Sequence, residues 1–204
     1  MWYVLVILGG YLLGCSNMAL YLSKIKKVRM DDKGSGNLGA SNALMLMGVK
    51  AGVLVGAHDI AKAWIAVLLA RWICPELAFA GELAGAACIL GHMFPFYLKF
   101  KGGKGFASYI GAALGLNFWL GLAISVAVIV IMIVTDYIVN STVMTVLVVP
   151  VAAALLAGSV WPAVILLVPT AIILYKHRIN FARIKDGTEF RVSSAFKGKH
   201  RADK

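Results

Sequence analysis

Residues 106–135 read FASYIGAALGLNFWLGLAISVAVIVIMIVT, thirty consecutive positions without a charged side chain. This run is too long for one ordinary membrane-spanning helix, which needs about 20 apolar residues, and too short for two full ones. The triplet Gly115-Leu116-Asn117 lies near its middle and favours a break there. We therefore expect a short helix followed by a complete transmembrane helix.

The whole chain of 204 residues has the same character, because 61% of it is hydrophobic and only 14% is charged. Soluble proteins carry about 25% charged residues. The composition therefore excludes a soluble enzyme, a secreted disulfide scaffold and a DNA-binding module. The other apolar stretches predict helices near 1–22, 41–72 and 77–98, and two more within 137–175 that are separated at 158–162. The predicted fold is all-α, an integral membrane protein of about seven transmembrane helices in a single domain over residues 1–204.

The net charge of +11 is concentrated in three basic clusters, near 24–33, 99–104 and 176–204. Short loops rich in Lys and Arg stay on the cytoplasmic side of a membrane. Seven helices place all three clusters on one face together with the polar segment 136–142, which favours seven helices over six. The N-terminus is then outside and the C-terminus cytoplasmic. We expect no nucleic acid partner, but the basic face would attract smaller anions.

Two glycine-rich loops precede predicted helices on that face, GSGNLGASN at 34–42 and KGGKG at 101–105. Glycines allow backbone conformations in which successive N–H groups and a helix N-terminus hold a phosphate, and lysines add positive charge. Taken alone, the first loop is also compatible with a flexible turn capped by Ser41 or Asn42, and the second with a basic turn among lipid headgroups. Two such loops on one face favour an anion site, for one phosphate or for two side by side.

A third polar segment follows the last predicted helix. His177, Asn180 and Arg183 are spaced by three residues and share a face if the helix continues. This face would offer an imidazole, an amide and a fixed positive charge, although Arg183 is also suited to headgroup anchoring. Glu189 would either orient a basic neighbour or be solvated.

The remaining polar residues give weaker signals. His92 fits a structural hydrogen bond and a site role equally well. Asp59 and Lys62 have the spacing of an intrahelical ion pair, for which we favour a structural role. His58, Glu82 and His200 suggest no chemistry by themselves. No Ser-His-Asp set, GxSxG turn or metal-ligand cluster is visible, which favours direct transfer between two bound substrates over a covalent intermediate.

Three motifs together resemble those of a known family, and the resemblance extends over nearly the whole chain. They are GSGNLGASN (34–42), GHMFPFYLKFKGGKG (91–105), and HRIN (177–180) with Arg183, Gly187 and Glu189. The chain resembles the PlsY-type, acyl-phosphate-dependent glycerol-3-phosphate acyltransferases of bacteria. The resemblance implies transfer of a fatty acyl group from acyl phosphate to the 1-hydroxyl of glycerol 3-phosphate, which gives lysophosphatidic acid for phospholipid synthesis. It implies no metal or coenzyme. It also implies a multi-pass protein of the bacterial cytoplasmic (inner) membrane, with the acyl-phosphate-producing enzyme as a possible partner.

The resemblance also assigns roles to particular residues. It implies that His177 and Asn180 position or deprotonate the attacking hydroxyl, while Ser35 and Lys104 bind phosphate. We expect further contributions to phosphate binding from Gly34, Gly36, Asn37, Gly39, Asn42, Lys101, Gly102, Gly103 and Thr142, and support from His92, Arg183 and Glu189.

The chain departs from the family pattern at several positions. The family has an arginine where this chain has Met45, and an arginine and a serine where Asp136 and Val139 stand. Thr142 replaces a serine but keeps a hydroxyl. We expect neutral Met45 and acidic Asp136 to weaken a phosphate site. The other departures are Ser41, Ala63 and Ile179.

These departures leave two alternatives to the enzyme implied by the motifs. One is a divergent paralogue with another acceptor or without activity. The other is an organic-phosphate transporter whose pathway would be lined by His58, Asp59, Lys62 and Glu82. The clustering of polar motifs on one face favours the enzyme, because transport sites lie near the membrane midplane.

Overall fold

The computed structural model describes residues 1–196, which are all-helical apart from their loops. His200 and the basic positions from Lys197 onward lie outside the described residues. The helices are, in chain order, α1 Trp2–Cys15, α2 Met18–Lys26, α3 Ala40–Met47, α4 Val49–Ile73, α5 Ala80–Met93, α6 Phe106–Leu116, α7 Phe118–Thr135, α8 Ile138–Ala157, α9 Trp161–Lys185 and α10 Val192–Phe196.

The first two predicted helices are each interrupted. The helix expected over 1–22 breaks at Ser16, and Asn17 then caps α2 by accepting a hydrogen bond from the N–H of Leu20 at 2.9 Å. The helix expected over 41–72 is divided at Gly48, whose φ of 84° and ψ of 177° separate α3 from α4. Since this φ favours glycine, the residue itself explains the break.

The third predicted helix, over 77–98, is shorter than expected. Helix α5 ends at Met93 because Pro95 cannot continue the helical hydrogen bonding and restricts the residue before it. A short 3-10 turn, Phe96–Leu98, follows before the basic loop.

The break inside the charge-free run 106–135 is confirmed. Helix α6 ends at Leu116, and the side chain of Asn117 accepts a hydrogen bond from the N–H of Leu120 at 2.9 Å, which begins α7. The later break is also where the sequence placed it, since α8 ends at Ala157 and α9 begins at Trp161.

Within residues 1–196, five helical segments have the length and composition needed to cross a membrane. Helix α6 is apolar but shorter, and α5 has 14 residues. The lipid-compatible surface is clearest on α7, where Ile133 and Val134 are about three-quarters exposed. The five segments are Trp2–Lys26, Val49–Ile73, Phe118–Thr135, Ile138–Ala157 and Trp161–Lys185.

Small residues bring α1 and α5 into direct backbone contact. A Cβ added to Gly14 would lie 2.1 Å from the carbonyl oxygen of Cys88, and one added to Gly91 would lie 2.1 Å from that of Tyr11. Close helix pairs of this kind are typical of membrane proteins, where packing replaces the hydrophobic effect as the driving force. The contact fixes the position of the end of α5, which carries His92.

Candidate active site

The polar motifs meet around one cavity of about 240 Å³. Its walls come from the 34–39 loop, α3, one residue each of α4 and α5, the segment 104–107 around the start of α6, the start of α8, the end of α9 and the segment 188–190. The lining residues are Gly34, Ser35, Asn37, Gly39, Ala40, Ser41, Met45, Asp59, His92, Lys104, Gly105, Phe106, Ala107, Ile138, Val139, His177, Asn180, Arg183, Thr188, Glu189 and Phe190. Segments distant in the chain therefore do converge, around one cavity, while their placement on one membrane face stays a prediction.

The 34–42 loop is organised by the side chain of Asn42, which is fully buried. Its Oδ1 accepts a hydrogen bond from the N–H of Ser35 at 2.9 Å, and its Nδ2 donates to the carbonyl oxygens of Met30 at 2.9 Å and Lys33 at 3.1 Å. Gly34 has φ of 64°, and a Cβ there would lie 2.2 Å from Asn42 Oδ1. Asn42 thus shapes the loop from behind, while Gly34 and Ser35 line the cavity.

The 101–105 loop is held in a different way, by backbone bonds to the end of α5. The N–H of Gly102 donates to the carbonyl of Met93, and the N–H of Gly103 donates to that of His92, both at 3.1 Å. Lys176 Nζ also donates to the carbonyl of Gly103 at 3.2 Å. Because these N–H groups are already bonded, this loop presents Lys104 and Gly105 to the cavity rather than a row of backbone donors.

Helix α9 continues to Lys185, so His177, Asn180 and Arg183 do share a face, and all three line the cavity. Nδ1 of His177 lies 2.8 Å from the carbonyl oxygen of Ile173. A carbonyl only accepts hydrogen bonds, so Nδ1 carries the proton and Nε2 of a neutral ring has a free lone pair. The sequence motif therefore positions a histidine that can accept a proton.

Lys104, Asn180 and Glu189 form a chain of hydrogen bonds along the cavity. Lys104 Nζ donates to Asn180 Oδ1 at 2.5 Å, and Asn180 Nδ2 donates to Glu189 Oε1 at 2.6 Å. The other carboxylate oxygen of Glu189 is buried and has no hydrogen-bond partner in residues 1–196. Burial lowers the pKa of Lys104 to about 8, an effect that the negative charge of Glu189 partly opposes.

The segment after α9 folds back over the cavity. The carbonyl oxygen of Arg183 accepts hydrogen bonds from the N–H groups of Thr188 at 2.8 Å and Glu189 at 3.1 Å, and Gly187 takes φ of 68° at the turn. This cap brings Glu189 and Phe190 to the cavity wall. Phe190 was missed in the sequence because a lone aromatic residue after Glu189 carries no chemical signal.

Asp136, whose charge was expected to weaken a phosphate site, does not line the cavity, and its effect on phosphate binding stays a prediction. Its carboxylate accepts hydrogen bonds from both the N–H and the hydroxyl of Ser193, each at 2.7 Å. The carboxylate therefore stabilises the start of α10 and does not line the cavity. Met45 and Val139 do line it, so at these two positions the wall is apolar.

The predicted site residues fall into two groups. Of the expected catalytic and supporting residues, His177, Asn180, Lys104, Ser35, His92, Arg183 and Glu189 all line the cavity, as do Gly34, Asn37 and Gly39. Among the other expected phosphate-binding residues, Thr142 is buried and donates to the carbonyl of Ile138 at 3.1 Å, and Lys101 is exposed. The residues that do not line the cavity are Gly36, Asn42, Lys101, Gly102, Gly103 and Thr142.

Asp59 and Lys62 form the expected ion pair, with 2.8 Å between Asp59 Oδ1 and Lys62 Nζ. Asp59 also lines the cavity, which the sequence did not predict. The transporter alternative grouped both residues with Glu82, but Glu82 lies at a separate cleft beside Arg71.

Comparison with known proteins identifies relatives over almost the whole chain. Residues 4–187 match the family described as glycerol-3-phosphate acyltransferase. A glycerol-3-phosphate acyltransferase of Coxiella burnetii is 36% identical over 195 residues, which cover 93% of this chain and 98% of the relative. One of Bordetella pertussis is 34% identical over 190 residues, covering 90% of this chain and 88% of the relative.

Solved structures agree with these sequence relatives. The crystal structure of PlsY, an integral membrane glycerol 3-phosphate acyltransferase, in its glycerol 3-phosphate form matches this chain with a TM-score of 0.85 and 30% identity. The match covers 93% of this chain and 94% of the PlsY chain. The lysophosphatidic acid form of PlsY matches with a TM-score of 0.81.

Proposed function

The chain belongs to the glycerol-3-phosphate acyltransferase family, and from this premise we propose that it transfers a fatty acyl group from acyl phosphate to the 1-hydroxyl of glycerol 3-phosphate. The product is lysophosphatidic acid. PlsY has been crystallised in glycerol 3-phosphate and lysophosphatidic acid forms, which supports the same acceptor and product for this chain. That the acyl donor is an acyl phosphate is a separate part of the proposal.

The observation that carries the proposal is that His177 and Lys104 line the same cavity. His177 Nε2 accepts the proton of the glycerol hydroxyl as that oxygen bonds to the acyl carbon. The bond between the acyl carbon and the phosphate oxygen breaks, and inorganic phosphate leaves with the electron pair. Acyl phosphate already contains a good leaving group, so the protein mainly has to orient the reactants and stabilise the developing charge.

Positive and polar groups around His177 bind the two phosphates. Lys104 and Arg183 supply the charges, and the hydroxyl of Ser35 supplies a hydrogen-bond donor from the opposite loop. Asn180 holds Lys104 in place through its amide oxygen, and Glu189 holds the amide group of Asn180. The roles of these residues are proposed from their position on the cavity wall.

The membrane arrangement follows from the same proposal. The protein is a multi-pass membrane protein, and we place it in the bacterial cytoplasmic membrane as one domain of seven spans, with α5 and α6 completing the five long segments. The N-terminus lies outside, and the cavity opens to the cytoplasm, where the basic clusters face anionic substrates.

An adjoining cleft lined by Leu44, Leu46 and Ala195 shares Met45 and Phe190 with the cavity. It would let an acyl tail approach from the bilayer, where an acyl-phosphate-producing enzyme could deliver it.

The test is product formation by the purified protein in detergent. Palmitoyl phosphate and radiolabelled glycerol 3-phosphate are supplied, and palmitoyl-CoA replaces the donor in a parallel reaction. We expect labelled lysophosphatidic acid from acyl phosphate alone. Product from the coenzyme A ester alone would refute the donor assignment, and folded protein that yields no product with either donor would refute the function.

A further inference from the structure

A buried charged cluster lies at the part of the cavity wall formed by Asp59 and His92, here called the inner wall, and takes no part in the mechanism above. Lys62 Nζ is 2.8 Å from Asp59 Oδ1, 2.9 Å from His92 Nδ1 and 2.7 Å from the carbonyl oxygen of Ser16. His58 approaches from the same helix, with its Nδ1 3.6 Å from Asp59 Oδ1. Asp59, Lys62 and His92 are each less than a tenth exposed. An ion pair at this depth is expensive to desolvate, so a purely structural pair would be an inefficient source of stability.

The members of the cluster differ in what they present to the cavity. Asp59 and His92 line it, whereas Lys62 stands behind them and does not. Lys62 also bonds the carbonyl of Ser16, which the break between α1 and α2 leaves without a helical partner. The ammonium group is therefore held against the carboxylate without itself lining the cavity.

This arrangement matters because the cavity is proposed to hold two phosphate-bearing substrates. An uncompensated carboxylate in its wall would repel both of them, and the repulsion would be strong where little water screens it. The ammonium of Lys62, in contact with Asp59, cancels that charge. Removing Lys62 alone would expose the anion to the phosphates, whereas removing both charges would leave the wall neutral.

We propose that Asp59 and Lys62 are a charge-balancing pair that keeps the inner wall of the cavity free of net negative charge and so permits phosphate binding. Both are positioning residues, since neither is assigned a contact with the reacting atoms. The inference rests on the proposed function in one respect, namely that the ligands carry phosphate.

The experiment measures the affinity of the purified full chain in detergent for glycerol 3-phosphate and for inorganic phosphate by calorimetry. We expect Lys62→Met to weaken both affinities about tenfold or more. The double variant Asp59→Asn/Lys62→Met should return to within about threefold of the unmodified chain, because the two charge effects cancel. Lys50→Met is the matched control, since it removes an exposed lysine from the same helix, and it should change neither affinity.

The double variant separates the proposal from a merely structural role. If the pair only stabilises the fold, the double variant binds as weakly as Lys62→Met or more weakly, and that result overturns the proposal. Unchanged affinity in a folded Lys62→Met protein would also overturn it. Asp59→Asn provides a second measurement should Lys62→Met fail to fold. This variant has no carboxylate at position 59, whatever the charge of Lys62. Its phosphate affinity should therefore equal or exceed that of the unmodified chain, and weaker binding overturns the proposal.

The inference and the proposed function fail in different ways. An unmodified chain that binds phosphate but makes no lysophosphatidic acid refutes the function, while the order of variant affinities still tests the pair. An active unmodified chain whose variants do not follow this order refutes the pair and leaves the function in place.

Discussion

The two glycine-rich loops of the cavity have similar sequences but different structural roles. In the 34–42 loop a buried side chain, Asn42, holds the backbone, and Gly34 and Gly39 line the cavity. In the 101–105 loop Gly102 and Gly103 do not line the cavity, and their N–H groups donate to main-chain carbonyls at the end of α5. Glycines beside this cavity therefore serve two different purposes: in one loop they form part of the cavity wall, and in the other they allow close contact with another segment of the chain.

The largest effect is expected in the 101–105 loop, where Lys104 lines the cavity and Lys101 does not. If the loop serves the reaction through the side chain of Lys104 alone, Lys104→Met should remove about 2–4 kcal/mol of transition-state stabilisation, by analogy with the loss of one preorganised donor. The value of kcat/KM should then fall about 30- to 1,000-fold. Steady-state rates with both substrates varied would measure it. Lys101→Met is the control, because Lys101 is exposed and does not line the cavity, and its rate should be almost unchanged. Equal losses in the two variants would contradict the single-residue role of this loop.

The glycines themselves should respond differently in the two loops. A Cβ at Gly103 would lie 2.0 Å from Nε2 of the buried His92, so Gly103→Ala should lower the free energy of unfolding by about 1–3 kcal/mol through overpacking. At Gly39 the φ is −144° and the nearest atom is the amide end of Asn37 at 3.0 Å. Gly39→Ala should therefore change stability by less than about 0.5 kcal/mol while reducing activity. Thermal unfolding in detergent together with an activity assay would compare them, and a less stable Gly39→Ala would argue against the difference between the loops.

Asn42 is the residue on which the shape of the first loop depends. Asn42→Ala leaves the N–H of Ser35 and the carbonyls of Met30 and Lys33 without this partner and should destabilise the fold by about 1–3 kcal/mol. Asn42→Asp keeps an acceptor for Ser35 but loses the donor to both carbonyls, so an intermediate effect is expected. Chemical denaturation would rank the three proteins. An alanine variant as stable as the unmodified chain would show that the loop is held by other contacts.

The smallest effect concerns pH and again distinguishes Lys104 from its neighbours. Burial lowers the pKa of Lys104 to about 8. The side chain is therefore positively charged below pH 8 and loses its charge as the pH rises through that value. We expect kcat/KM to fall about fourfold between pH 7 and pH 8.5, since kcat/KM reports the ionisation of the free enzyme. Lys104→Arg keeps its charge throughout this range and should show a flatter profile at a lower rate. A fall of the same size in the arginine variant would assign the ionisation to another group.

The sequence predicted the membrane class, the break at Asn117 and the convergence of the polar motifs, because each follows from local composition or spacing. It also predicted the shared face of His177 and Asn180, which needed only the helix to continue. The break at Gly48 was missed, since an isolated glycine in an apolar run is compatible with an unbroken helix. Family membership was predicted by the motifs and is confirmed by relatives that cover more than nine-tenths of the chain.

What the sequence could not provide was the direction of each side chain. Asp136 was expected to weaken a phosphate site, but its carboxylate does not line the cavity and accepts hydrogen bonds from Ser193, a residue far away in the chain. Asp59 was read as structural, yet it lines the cavity because the rotation of α4 turns it there. Such facts depend on which helices are neighbours, and one sequence does not specify those neighbours.

The backbone contact between α1 and α5 has a mechanical consequence. With Gly14 against Cys88 and Gly91 against Tyr11, neither helix can slide or rotate by a fraction of a turn without a collision between main-chain atoms. The pair therefore acts as a fixed wall, and the rigid end of α5 serves as the anchor to which the Lys104 loop is attached. Any widening of the cavity that admits a long acyl chain therefore has to come from elements other than α1 and α5.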